Sequence, residues 1–143
     1  LVIAGGSSDT RWYMDELKEQ AGGDERVIFT GFVDGQLREE LYSNAYLFVL
    51  PSDLEGMPLC LLEAMSYGNC VITSDIEECA NVIHDNGITF RKSDVDDLAQ
   101  KLTYALSHPN TVRMFKWLAA EYVCTRFPWE RIVEETLALY EKK

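Results

Sequence analysis

The amino-acid sequence predicts an α/β domain built on a doubly wound parallel sheet. Two observations carry that prediction. Short apolar runs alternate with stretches of helical period, and the strand-length runs are nearly continuously apolar instead of alternating with polar residues. Strands alternating with helices make βαβ units, whose right-handed crossovers place helices on both faces of a parallel sheet. The length agrees: 143 residues, 47% of them hydrophobic, bury one proper core and leave little for a second. A single domain over 1–143 is expected, with the helices of 109–143 packed on it.

The first strand is the apolar run 1–4, which ends at Gly5-Gly6. The sequence Gly5-Gly6-Ser7-Ser8 lacks the G-x-G-x-x-G register, so it reads as a turn leading to an Asp9 cap on a helix over 9–21. Further strands are predicted at 27–29, 46–50, 70–73 and 88–90, and helices at 35–45, 59–67 and 77–84. Beyond 90 the chain turns all-helical. Ser93 and Asp96 have capping-box spacing for a helix reaching about Ser107, and two more helices follow over 110–126 and 129–142, broken at Pro128. The acids Asp94, Asp96 and Asp97 read as first-turn charges complementing a helix dipole, not as a metal site.

The formal charge of −11 disfavours partners held by phosphate neutralisation, which excludes nucleic acid and anionic lipid as main ligands. Any anionic ligand must be held locally. Cys60, Cys70, Cys79 and Cys124 include no C-x-x-C pair and the two histidines lie far apart, so no zinc spacing is present. They read as reduced core thiols of a cytosolic protein. His84 is expected as a cation near a helix C-terminus and His108 at a helix break before Pro109. No run approaches the length of a membrane span, so a cytoplasmic protein, at most peripheral to the inner face of the membrane, is expected.

The informative stretch is Pro51-Ser-Asp-Leu-Glu-Gly-Met-Pro-Leu-Cys-Leu-Leu-Glu-Ala-Met-Ser-Tyr-Gly68, between the predicted strands 46–50 and 70–73. In open α/β sheets ligands sit beyond the carboxyl ends of the strands, where this loop and helix start must lie. Helical spacing puts Leu59, Leu62 and Met65 on roughly one side and Glu63 near Leu59, so this carboxylate in an apolar segment must find a polar partner or solvent. A ribose diol is one such partner. Pro58 suits a first helical position, which leaves the amides of Leu59 and Cys60 pointing out of the helix as a phosphate site. Gly56 permits a tight backbone turn there. Taken singly, Glu55 is also readable as an exposed loop acid, Gly56-Met57-Pro58 as an ordinary turn and Glu63 as a solvated helix residue.

The combination resembles a known family. P-S-x-x-E-G-x-x-L-x-x-L-E-A-M-x-x-G, followed by Val71-Ile72-Thr73-Ser74-Asp75, is similar to the E-x7-E signature of the family-4 retaining glycosyltransferases. The leading L-V-I-A-G-G, the segment 27–33 and Phe127-Pro-Trp129 also resemble that family's C-terminal domain. The resemblance implies a Rossmann-like, nucleotide-sugar-binding half of a two-domain GT-B fold. It implies Gly31, Phe32 and Val33 beside the base, Glu63 on the ribose, and the amides near Leu59 and Cys60 on the diphosphate. Glu55, with the backbone of Gly56, Met57 and Pro58, would orient the donor sugar at the catalytic centre. Transfer with retention to a sugar or lipid-linked acceptor is implied, with the departing diphosphate stabilised electrostatically and no metal or other cofactor.

Two departures bear on the identity of the donor sugar. Met57-Pro58 stands where the family commonly has Phe-Gly, and Glu77-Glu78 follow Ile76 where two glycines are common. The family's opening strand, with an Arg and a Lys that grip the diphosphate, is expected before Leu1, as is the acceptor-binding domain. In the nucleotide-binding strand order 3-2-1-4-5-6 that strand is central, so the flanking strands would present open edges for a partner copy or an outside segment. Two rival readings stay open: a noncatalytic nucleotide or phosphosugar-binding module, and a nucleotide-sugar epimerase relative.

Overall fold

The computed structural model describes residues 1–6 and 11–141. The predicted Ser7-Ser8 turn and Asp9 cap lie outside them. In chain order the elements are β1 (Val2–Ala4), α1 (Arg11–Ala21), β2 (Ile28–Gly31), α2 (Gly35–Asn44), β3 (Phe48–Leu50), α3 (Leu59–Ser66), β4 (Val71–Ser74), α4 (Glu77–Ile83), β5 (Ile88–Phe90), α5 (Val95–Ser107), α6 (Pro109–Arg126) and α7 (Trp129–Glu141). The chain, read from sequence as one domain, divides into two compact units, Leu1–Leu41 and Tyr42–Lys143.

In the first unit β1 and β2 pair in parallel, with Val2 opposite Ile28 and Ile3 opposite Phe29. The register shifts after Ile3, so that Ala4 faces Gly31, and the amide of Gly5 closes the ladder on the Gly31 carbonyl at 2.8 Å. Gly31 adopts φ +68, a left-handed conformation that L side chains rarely take, and turns the chain out of the strand.

The second unit holds a parallel ladder in the order β3-β4-β5. Phe48, Val49 and Leu50 face Val71, Ile72 and Thr73, and Ile72, Thr73 and Ser74 face Ile88, Thr89 and Phe90. Every residue of the central strand β4 is buried. Neighbouring side chains on a strand point to opposite faces. Accordingly Val71 joins one core cluster, with Leu61, Met65, Cys79, Ile83 and Ala119, while Ile72 joins another, with Cys70, Phe90, Ala105 and Val112. α3 and α4 cover the first face and α5 the second, and α6 contributes Ala119 to one cluster and Val112 to the other. Double coverage is the physical reason that 70–73 reads as an unbroken apolar run.

Several expectations need correction. The helix after β5 is capped by Asp94, whose carboxylate accepts from the Asp97 amide at 2.8 Å, and not by Ser93. Ser93 has φ +59, whereas an N-cap takes an extended backbone. Its hydroxyl instead donates to Asp53 Oδ1 at 2.9 Å. On α3 the buried stripe is Leu61, Ala64 and Met65, while Leu59 is exposed, because packing against α6 and β4 selects one of two apolar stripes. Cys124 is exposed on α6 and is no core thiol; Cys70 and Cys79 are buried, Cys60 is half-buried and all four are free. The trailing helices, both expected to pack on the domain, differ: α6 packs against α3 and α5, and no described residue of α7 is buried.

His84 closes α4 with φ +43, its amide bonded to the Ala80 carbonyl, and its ring lies edge-on to Tyr122 at 6.4 Å. His108 stands at the junction of α5 and α6 and stacks on Tyr104 at 4.2 Å.

Gly87, just before β5, is held by close packing. A Cβ there would lie 2.7 Å from Val71 Cγ2 and 3.2 Å from Ile83 Cδ1, both in the buried core. Gly87→Ala is expected to destabilise the chain by about 1–3 kcal/mol through overpacking. A urea unfolding midpoint equal to that of the parent would contradict this packing.

Candidate functional site

The loop 51–58 leaves β3 at its carboxyl end and is fixed there by the last residues of β4. Thr73 and Ser74 are buried hydroxyls, and a buried hydroxyl without a partner is costly. Thr73 Oγ1 donates to the Leu50 carbonyl at 3.2 Å, and Ser74 Oγ donates to the Ser52 carbonyl. Ser52 Oγ in turn donates to Glu55 Oε1 at 2.6 Å. Glu55, read from sequence as a loop carboxylate, is therefore half-buried and oriented by a chain of hydroxyls running back to the central strand. Asp53, bonded to Ser93, ties the same loop to the start of α5.

The start of α3 departs from expectation. Pro58 is the N-cap and not the first helical residue, with φ −76 and ψ 79. These angles are close to those of an inverse γ-turn, which bonds the amide after its central residue to the carbonyl before it. The Leu59 amide accordingly donates to the Met57 carbonyl at 2.8 Å. It is thus not an unpaired donor. The amides of Leu61 and Leu62 both turn to the Pro58 carbonyl, so the Cys60 amide is the remaining member of the predicted phosphate-binding pair. Gly56 and Met57 are exposed and Pro58 is buried.

Glu63 lies in the second turn of α3, half-buried. One polar partner in its apolar surroundings is Tyr42, whose hydroxyl lies 3.1 Å from Glu63 Oε2 and 3.4 Å from the Cys60 carbonyl. Between the two carboxylates in sequence stands Cys60. Burial pushes its thiol up first, and the negative charges of Glu55 and then Glu63 push it further, while the backbone N–H groups of Leu61 and Cys60 act the other way. Glu55 also raises the thiol of Cys79 on α4, behind burial as the leading cause. Cys60 is thus the thiol on which both carboxylates act.

Gly31, Phe32 and Val33 belong to the first unit, at the exit of β2. Phe32 is 80% exposed and Val33 is half-buried. Two shallow surface grooves lie elsewhere in the second unit, one along α5 past Tyr104 and His108 and one beside Tyr122 and Arg126; neither is lined by Glu55 or Glu63. Among the described residues no group of three or more His, Cys, Asp and Glu has the arrangement of a metal site, and no helix is long and apolar enough to cross a membrane.

A family model described as glycosyl transferases group 1 matches residues 1–108. The chain belongs to this family. The group 1 match takes in Gly31, Phe32, Val33 and the whole stretch from Glu55 to Glu63, and it ends before α6. An uncharacterised glycosyltransferase of Methanocaldococcus jannaschii is 34% identical over 143 residues, which cover 99% of this chain and 36% of that protein. Sucrose-phosphate synthase from Thermosynechococcus elongatus matches with a TM-score of 0.86 at 27% identity, covering 99% of this chain and 38% of that one. The Anabaena protein HepE, solved in complex with UDP-glucose, matches with a TM-score of 0.86 at 20% identity, covering 96% of this chain and 40% of that one. The fold is thus α/β with parallel ladders, as in GT-B glycosyltransferases. The group 1 chain described here spans well under half the length of these relatives.

Tyr42, Ser52, Thr73 and Ser74 were not legible as site residues. Ser52, three positions before Glu55 in a turn, is the only one that local spacing offers; Tyr42 is 21 positions from its partner. The common action of Glu55 and Glu63 on Cys60 gives a direct test. Removing either charge lowers the thiol pKa, so Glu55→Gln and Glu63→Gln should each speed alkylation of Cys60 by iodoacetamide at pH 8, read by peptide mass spectrometry. Cys70, which burial holds up to about 11, serves as the unlabelled control. Unchanged Cys60 rates in both variants would place the carboxylates apart.

Proposed function

We propose that the chain is the nucleotide-sugar-binding part of a retaining glycosyltransferase that passes a glycosyl unit to a sugar or lipid-linked acceptor. The observation that supports this reading is the loop of Glu55, tied through Ser52 and Ser74 to the carboxyl ends of β3 and β4 and running directly into the helix that carries Glu63, in a group 1 family chain. On this reading the Glu63 carboxylate accepts the two ribose hydroxyls. The Cys60 amide and the positive end of the α3 dipole receive the diphosphate. Glu55, oriented by Ser52, turns the hydroxyls of the donor sugar toward reaction, and the backbone of Gly56, Met57, Pro58 and Leu59 shapes the sugar side of the site. Gly31, Phe32 and Val33 are assigned to the base.

The chemistry follows from what these groups are. Carboxylates that receive hydroxyl protons act as acceptors for further hydroxyls, so the pair orients and does not exchange protons as a glycosidase pair would. Charge that develops on the departing diphosphate is met by fixed backbone donors, which need no reorganisation when the bond breaks. The proposal requires no metal. UDP-glucose in the Anabaena protein supports a nucleoside diphosphate sugar as the donor class. The acceptor site is assigned to a second domain of a longer cytoplasmic or membrane-peripheral protein. Retention is part of the same proposal and rests on the E-x7-E spacing of Glu55 and Glu63.

Titration with UDP, followed by NMR or calorimetry, tests the site. Glu63→Ala is expected to weaken UDP binding by about 1–3 kcal/mol, the worth of charge-assisted hydrogen bonds to the ribose. Equal affinity in parent and variant would remove the ribose role from Glu63.

A further inference from the structure

We infer that Tyr42 is a positioning residue for the nucleotide ribose, acting through Glu63; the inference rests on the ribose role proposed for that carboxylate. Tyr42 lies outside the E-x7-E stretch, near the end of α2. Its hydroxyl donates to Glu63 Oε2 at 3.1 Å and lies 3.4 Å from the Cys60 carbonyl, so it touches both the assigned ribose ligand and the assigned phosphate turn.

The residue is itself held by two ring contacts and a backbone hydrogen bond. Its ring stacks on Tyr67 at 5.5 Å and 27°, and packs at a tilt on Phe48 of β3 at 5.8 Å. Its backbone carbonyl accepts from Asn69 Nδ2 at 2.8 Å, and the same buried amide donates to the Ala64 carbonyl of α3 at 3.0 Å. Asn69 is almost fully buried, so this bracket between α2 and α3 is shielded from water. A hydroxyl fixed in this way sets the direction of the carboxylate it bonds.

A carboxylate offers about four lone-pair directions, and the phenol takes one of them on Oε2. A carboxylate oriented in this way need not be ordered when the ribose arrives. Preorganisation of that kind favours the ligand that uses the carboxylate and leaves other parts of the nucleotide unaffected. Tyr42 is therefore expected to act on the distinction between ribose and a sugar without its hydroxyls.

The test uses this chain with UDP and 2′,3′-dideoxy-UDP as probes. Tyr42→Phe removes only the hydroxyl and keeps the ring stack and the Asn69 bond to the backbone. The parent should prefer UDP, Tyr42→Phe should lose about five-fold of that preference, and binding of the dideoxy nucleotide should not change. In a Glu63→Ala background Tyr42→Phe should have no further effect on the preference, because the two groups act as one unit. If the parent prefers UDP and Glu63→Ala abolishes the preference while Tyr42→Phe keeps it whole, the inference falls and the ribose reading stands. If the parent shows no preference, or binds neither nucleotide, both fall. Equal weakening of the two nucleotides by Tyr42→Phe would mark a merely structural role and overturn the inference.

Discussion

The burial of β4 on both faces is the constraint from which the second unit follows. A strand with no solvent-facing side must send consecutive residues into two different cores, as Val71 and Ile72 do. Helices are then required on both faces, and the strand cannot lie at an edge of its ladder. It also cannot end on polar residues unless each finds a partner. Thr73 and Ser74 meet that demand with carbonyls at the exit of β3. The loop that carries Glu55 is therefore positioned by the hydrogen-bond needs of a core strand, and its own residues have only to complete the link through Ser52.

A second consequence concerns charge. In a chain with net charge −11, the carboxylates of Glu55 and Glu63 each repel the thiolate form of Cys60 and raise its pKa, behind burial as the leading cause. The helix dipole and the first-turn amides oppose that repulsion locally. Each carboxylate also receives a hydroxyl, Glu55 from Ser52 and Glu63 from Tyr42. A hydroxyl donor fixes the direction of a carboxylate without itself cancelling its charge. This is the property the proposed donor role requires.

Pro58 shows how a single departure from the family pattern is absorbed. Its ring fixes φ, and the turn it makes engages the Leu59 amide with the carbonyl of Met57. One donor is withdrawn from the helix start, and the weight of the proposed phosphate contact moves one residue along, to Cys60. The change alters which amides are left unpaired, while the helix itself begins at Leu59 as predicted.

Much of this was legible in the residues. Alternating apolar runs and helical periods located five strands and seven helices, because burial imposes a period that survives in one dimension. The E-x7-E stretch was legible as a site, since two acids in an apolar loop and helix need polar partners wherever they fold. What the sequence did not determine are the choices made by contacts between distant segments. The cap of α5 fell to Asp94 because Ser93 was drawn into a left-handed turn toward Asp53. The buried stripe of α3 was selected by α6 and β4, and the exposure of Cys124 and of α7 depended on which helix faces met a neighbour. The bond from Tyr42 to Glu63, 21 positions away, was decided by the tertiary structure alone, because a hydrogen bond between two elements leaves no periodic trace in either of them.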